Sequence, residues 1–157
     1  MKPLIYLSLF VLVVVAGCGS GLVPLRGTVT FSDDGSPLTT GVVYLDNGKN
    51  LARGTINADG TYIVGSLKNN DGLAPGHYRI YIQAIGPDPS GALEPMALSA
   101  GPGMAPPDAS APRLRVQVLL IDAKFTSPET SGLEINVDRS TRSHDIVVDR
   151  NPHLKPK

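Results

Sequence analysis

The sequence predicts an all-β protein: an antiparallel β-sandwich of about seven to eight strands. Three observations carry that expectation. Glycine (17) and proline (14) together make up about a fifth of the 157 residues, the composition of short strands joined by many turns. Aromatic residues are only 5%, tryptophan is absent, and apolar residues keep no helical period of useful length beyond the first seventeen positions, which disfavours a helical bundle. Eight short segments instead alternate apolar and polar side chains with period two, the mark of a strand with one buried face.

In residues 25–31, Leu25, Gly27, Val29 and Phe31 alternate with Arg26, Thr28 and Thr30. Asp33, Asp34 and Gly35, closed by Pro37, turn the chain into residues 41–45, where Val43 and Leu45 share a face. Residues 53–57 and 61–64 flank Ala58, Asp59 and Gly60, a tight hairpin whose glycine accepts the positive φ that the turn needs. A second turn-rich stretch, Asn69 to Gly76, leads into residues 77–85. There Tyr78, Ile80, Ile82 and Ala84 form one face and His77, Arg79, Tyr81 and Gln83 the other. Three further strands are expected at 115–121, 133–137 and 144–148. Alternation assigns to one core Leu25, Val29, Phe31, Val43, Leu45, Tyr62, Val64, Tyr78, Ile80, Ile82, Val116, Val118, Leu133, Ile135, Val137, Ile146 and Val148.

Residues 86–113 interrupt this series with seven of the fourteen prolines and six alanines. Its larger apolar side chains are only Leu93, Met96, Leu98 and Met104, too few to offset the entropy of ordering 28 residues. The segment is expected to be a mobile surface loop, dispensable for folding.

The N-terminus reads as an address. Lys2 precedes an apolar run over residues 4–16, and small residues follow at Gly17, Cys18, Gly19 and Ser20, the layout of an export signal. A run of about 13 residues rises only about 20 Å as a helix, short of a bilayer's hydrocarbon core of about 30 Å. Val15, Ala16, Gly17 and Cys18 resemble the lipobox of bacterial lipoproteins. That resemblance implies cleavage before Cys18, acylation of its thiol and anchoring in a membrane. The expected divisions are a signal peptide at 1–17, a lipidated tether at 18–24, one sandwich domain at 25–149 and a polar tail at 150–157. The mature chain would carry 13 basic and 14 acidic side chains, a net charge of minus one.

Residues 25–31, then Asp34, Gly35, Pro37 and Leu38, residues 41–45, then Asp59, Gly60, Thr61 and Tyr62, and Pro75, Gly76, His77 and Tyr78 together resemble the carboxypeptidase regulatory-like domain. Lys124, Phe125 and the stretch from Thr130 through Gly132 to Val137 are similar to the C-terminal half of small bacterial lipoproteins that carry it. The resemblance implies a transthyretin-like, Ig-like sandwich. It speaks to turns and core positions and says little about chemistry.

Composition excludes several functions. Lysine plus arginine equals aspartate plus glutamate, 14 against 14, so no basic excess exists to neutralise a nucleic-acid backbone. A single cysteine allows no intramolecular disulfide. No motif joins His77, His144 or His153 to a nucleophile, so no catalytic residue, cofactor or metal is expected. The chain ends His153, Leu154, Lys155, Pro156, Lys157, unlike the ending of transthyretin-like enzymes that hydrolyse 5-hydroxyisourate, and it lacks the histidine-x-histidine pair of intradiol dioxygenases. Asp33, Asp34, Asp46, Asp59 and Asp71 each sit in turn sequence, which accounts for them without calcium. Arg79, Tyr81 and Gln83 project from one strand face as candidate ligand-facing residues. The expected function is a non-catalytic binding or structural module held on a bacterial envelope membrane, at the outer membrane or cell surface, with the bilayer and an envelope protein or polymer as partners. The alternative is a hydrolase-like envelope enzyme with an unrecognised site.

Overall fold

The computed structural model describes residues 21–88, 93–95 and 113–154. Five strands come first: β1 (Arg26–Phe31), β2 (Val42–Asp46), β3 (Leu51–Thr55), β4 (Thr61–Ile63) and β5 (Gly76–Gln83). The short segments β6 (Ile85–Pro87), β7 (Leu93–Pro95), β8 (Arg113–Arg115) and β9 (Gln117–Leu119) follow, then a 3-10 helix at Ala123–Thr126, β10 (Leu133–Val137), β11 (Ile146–Val148) and a 3-10 turn at Pro152–Leu154. Among the described residues no helix is long and apolar enough to cross a membrane.

Seven strands make two sheets, β11-β1-β4 and β10-β5-β2-β3. Bridges Arg53↔Gly65 and Ile56↔Tyr62 join β3 to β4 at a corner, so β1 to β4 lie in the spatial order 1-4-3-2 of a Greek key. The fold is thus the expected all-β sandwich, with one departure from antiparallel pairing. β1 and β11 run parallel, Val29 opposite Ile146 and Phe31 opposite Val148. The segment after β10 crosses between the sheets at the end where β1 begins, since Arg26 bridges Ser143, and β11 therefore sets out in the direction of β1.

The core contains Leu25, Val29, Phe31, Val43, Leu45, Tyr62, Val64, Tyr78, Ile80, Ile82, Val137, Ile146 and Val148, all expected from alternation. Leu133 and Ile135 are only partly buried against it. Val23, Leu38, Ala52, Ile56, Leu73, Ala84, Ile121 and Phe125 complete it. Both core tyrosines satisfy their hydroxyls: Tyr62 donates to the His144 carbonyl at 2.6 Å and Tyr78 to that of Ala74 at 2.9 Å. Burial pushes the Tyr62 hydroxyl far above its ordinary value, with nearby Asp145 adding to the shift.

Val116 and Val118 are a correction. They are only half buried and lie outside the core, because residues 113–119 do not enter either sheet. Residues 117–119 pair with 85–87 and residues 113–115 with 93–95, Ile85 opposite Leu119 and Leu93 opposite Arg115. Backbone ladder bonds compensate where apolar burial is scarce, so the expected loop at 86–113 begins and ends in paired strand. Residues 89–92 and 96–112 lie outside the described residues.

Residues assigned to the tether and to the polar tail are drawn into the fold. Val23, assigned to the tether, is buried and exchanges backbone hydrogen bonds with Leu73 at 2.8 and 3.0 Å. Arg150, assigned to the tail, bonds Asp33 at 2.9 Å and Asp34 at 3.1 Å, and stacks 3.8 Å above the Phe31 ring. Asn151 donates its side-chain amide to the Leu119 carbonyl at 2.7 Å.

Turn carboxylates behave as the sequence implies. Asp59 accepts from the Thr61 amide and hydroxyl, Asp34 from those of Ser36, and Asp46 from the Gly48 amide. Gly60 holds φ +82° in its hairpin. Hydrogen bonds from Ser140 and Thr141 hold Asp138 down at about 2, and burial lowers His144 below its ordinary 6.5. A group whose folded pKa is depressed stabilises the fold above its unfolded pKa and loses that contribution as pH falls. The thermal midpoint is therefore expected to drop in two acid stages. The first begins below the ordinary histidine value of 6.5, and the second runs from the ordinary aspartate value of 3.8 toward about 2. Circular dichroism melts across pH check this; His144→Gln should remove the upper stage and leave the lower one.

Candidate functional site

The outward face of β10-β5-β2-β3 gathers the ligand-facing candidates. Alternation on β5 turns Tyr78, Ile80 and Ile82 into the core and leaves His77, Arg79, Tyr81 and Gln83 outside. The registers then fix their neighbours. Tyr81 lies opposite Tyr44, which lies opposite Arg53; Arg79 lies between Glu134 and Asp46; Gln83 lies opposite Val42.

Tyr44 and Tyr81 stack with ring centroids 4.8 Å apart and planes 8° from parallel. Directly opposed cross-strand side chains meet at this spacing, and the pair stabilises the sheet while presenting a flat aromatic surface. Burial, Asp46, Tyr44 and Glu129 together raise the Tyr81 hydroxyl above its ordinary value, keeping it a neutral donor.

Beside the tyrosines runs an ionic row. Glu134 lies 3.3 Å from His77 and 3.9 Å from Arg79. The 127–131 segment stands over this row. Ser131 is buried and donates to the Ile80 carbonyl at 2.5 Å, which fixes the segment to β5. Ser127 hydrogen-bonds Glu129 and holds that carboxyl below its usual range. The result is an open cleft of about 370 Å³ lined by Asp46, Asn47, Gly48, His77, Arg79, Pro128 and Glu129.

This arrangement suits recognition. It offers a planar aromatic pair, guanidinium donors and carboxylate acceptors on a rigid sheet. Among the described residues, no cluster of three or more histidine, cysteine, aspartate or glutamate side chains has the geometry to hold a metal. His77 faces the Glu134 carboxylate, His144 lies beside β1 and donates its backbone amide to the Arg26 carbonyl, and His153 sits in the 3-10 turn.

Arg79 and Tyr81 are thus brought together with partners, whereas Gln83 lies at the far end of β5, outside the cleft. Tyr44 and Glu134 were not singled out from sequence. Tyr44 was legible, since Val43 and Leu45 pointing inward place it outward; Glu134 needed the β10–β5 register. Cys18 and the lipobox residues Val15, Ala16 and Gly17 lie outside the described residues.

No family model matches the chain, and no curated protein matches it. Among solved structures, the major pilin subunit of Bacillus cereus is similar at 14% identity over 83% of this chain and 30% of the pilin, with a TM-score of 0.40. A 9R-lipoxygenase from Cyanothece is similar at 14% identity over 85% of this chain and 17% of the lipoxygenase, with a TM-score of 0.31. The chain therefore spans less than a third of either protein.

Proposed function

We propose that this chain is a membrane-anchored envelope lipoprotein whose β-sandwich is a non-catalytic binding module, with the outer face of β10-β5-β2-β3 as its contact surface. The observation that carries the binding role is the stacked Tyr44–Tyr81 pair standing between Arg53 and the Glu134–Arg79–Asp46 row. Tyrosine and arginine, with tryptophan, are enriched among the side chains that dominate binding energy; tyrosine brings large contact area with few rotors, and arginine a planar fork of donors. The anchor rests on Val15, Ala16, Gly17 and Cys18 and on the likeness to lipoproteins that carry a carboxypeptidase regulatory-like domain.

The enzyme reading has less behind it. General bases need pKa values raised toward the working pH, whereas the displaced carboxylates here are held down by serine and threonine hydrogen bonds at Asp34, Asp59, Asp138 and Glu129.

The double variant Tyr44→Ala/Tyr81→Ala is expected to lose crosslinked partner from intact envelopes by about tenfold or more, as for truncation of central interface aromatics. Loss of the stacked pair should cost only about 1 kcal/mol of stability. Undiminished partner recovery by a folded double variant would contradict the assignment of this face.

A further inference from the structure

The whole chain balances its charges, but the two ends of the sandwich do not share them evenly. Val23 bridges Leu73, Arg26 opposes Ile63 and bridges Ser143, Val137 opposes Gly76, and Asp46 opposes Leu51. These registers collect segments 21–26, 46–51, 64–75 and 138–143 at one end. They carry Arg26, Lys49, Lys68, Arg139 and Arg142, all exposed, against Asp46, Asp71 and Asp138. The three carboxylates are occupied locally: Asp46 accepts from Gly48, Asp71 from the amides of Ser66, Leu67 and Lys68, and Asp138 from Ser140 and Thr141. The opposite end carries Asp33, Asp34, Asp59, Asp122 and Asp149 against Lys124 and Arg150. Among the described residues, charge is polarised along the strands.

Two apolar features sit among the cations. Leu67 is 86% exposed and Ile63 42%. A cleft of about 370 Å³ is lined by Pro24, Leu25, Arg26, Ile63 and Arg142. The chain enters the fold at this same end, through Val23. Five residue steps from Cys18 to Val23 span at most about 17 Å, so an acyl chain on Cys18 would hold this end against its membrane.

We infer that this basic end is a docking surface for an anionic bilayer, the cations meeting lipid phosphates and Leu67 entering the interface. The inference rests on the lipid-anchor reading and adds an orientation to it: the polarity favours the basic end facing the membrane and the acidic end facing away. Basic residues next to an anionic surface are attracted within a Debye length. A neutral overall charge therefore does not preclude a local electrostatic contact.

The chain has no tryptophan, so Leu67→Trp makes a single fluorescent reporter at a position exposed enough to accept it. The full chain, extracted in detergent from the envelopes that express it, is reconstituted into vesicles of phosphatidylglycerol and phosphatidylcholine in equal parts, or of phosphatidylcholine alone, and flotation is read in the same samples. In the anionic vesicles the emission is expected to shift to the blue and to be quenched by brominated lipid. Both effects should be lost at about 1 M salt, where the Debye length is about 3 Å, and in Arg26→Glu/Lys68→Glu/Arg142→Glu. A reporter at Val147→Trp, on the exposed side of β11, should stay water-like throughout. Protein that floats with both vesicles but keeps water-like emission at position 67 overturns the docking surface and leaves the anchor standing. Flotation with anionic vesicles alone, reversed by salt, supports the surface and overturns the anchor. Flotation with neither overturns both.

Discussion

Gly27→Ala is expected to destabilise the domain by about 3 kcal/mol, the upper range for forcing an added carbon into packed structure. A Cβ at position 27 would lie 1.8 Å from the His144 carbonyl oxygen and 3.0 Å from the Tyr62 ring. The obstacle is backbone, so no rotamer relieves it. The same oxygen accepts the Tyr62 hydroxyl at 2.6 Å, and the Asp145 carboxylate beside it accepts both the amide and the hydroxyl of Thr28 at 2.8 Å. Making room at Gly27 means moving β11 away from β1, which strains their parallel pairing and both side-chain ties at once. Urea unfolding of the variant measures the loss. A change below about 0.5 kcal/mol, the range of neutral surface substitutions, would mean that the last strand does not seat against the first as described.

Ile80→Ala is expected to cost about 2–5 kcal/mol and Ile135→Ala only about 1 kcal/mol. Alternation alone treats the two alike. The structure separates them: Ile80 is 0% exposed in the middle of β5, between β2 and β10, whereas Ile135 on the edge strand β10 is only partly buried. Equal losses in the same unfolding assay would show that β10 is covered on its outer edge.

Where a strand has one face in the core, the sequence alone identified that face, because period-two alternation and sheet geometry are the same constraint. That holds for β1, β2, β4, β5 and β11. It failed at Val116 and Val118, whose alternation is real but whose strand pairs with a ribbon instead of a sheet; alternation reports a half-covered strand and is silent on what covers it. Pairing partners were equally hidden. The parallel β1–β11 contact and the Glu134–Arg79–Asp46 row join residues more than thirty apart in sequence, and only the register brings them together. Arg150 was read as tail because nothing local marks it, while its partners Asp33, Asp34 and Phe31 lie more than a hundred positions earlier. Of the proposed binding face, Arg79 and Tyr81 were legible from their strand, and the tyrosine stack required knowing that β2 lies beside β5.

The proposed lipid anchor at Cys18 is tested most directly by the mass of the mature N-terminus. Protein extracted from envelopes in detergent, digested and analysed by mass spectrometry should yield an N-terminal peptide beginning at Cys18 and carrying acyl mass, and Cys18→Ser should leave the membrane fraction while keeping its thermal midpoint. An unmodified Cys18 in the mature chain, or a Cys18→Ser variant that stays fully membrane-bound, would contradict the account.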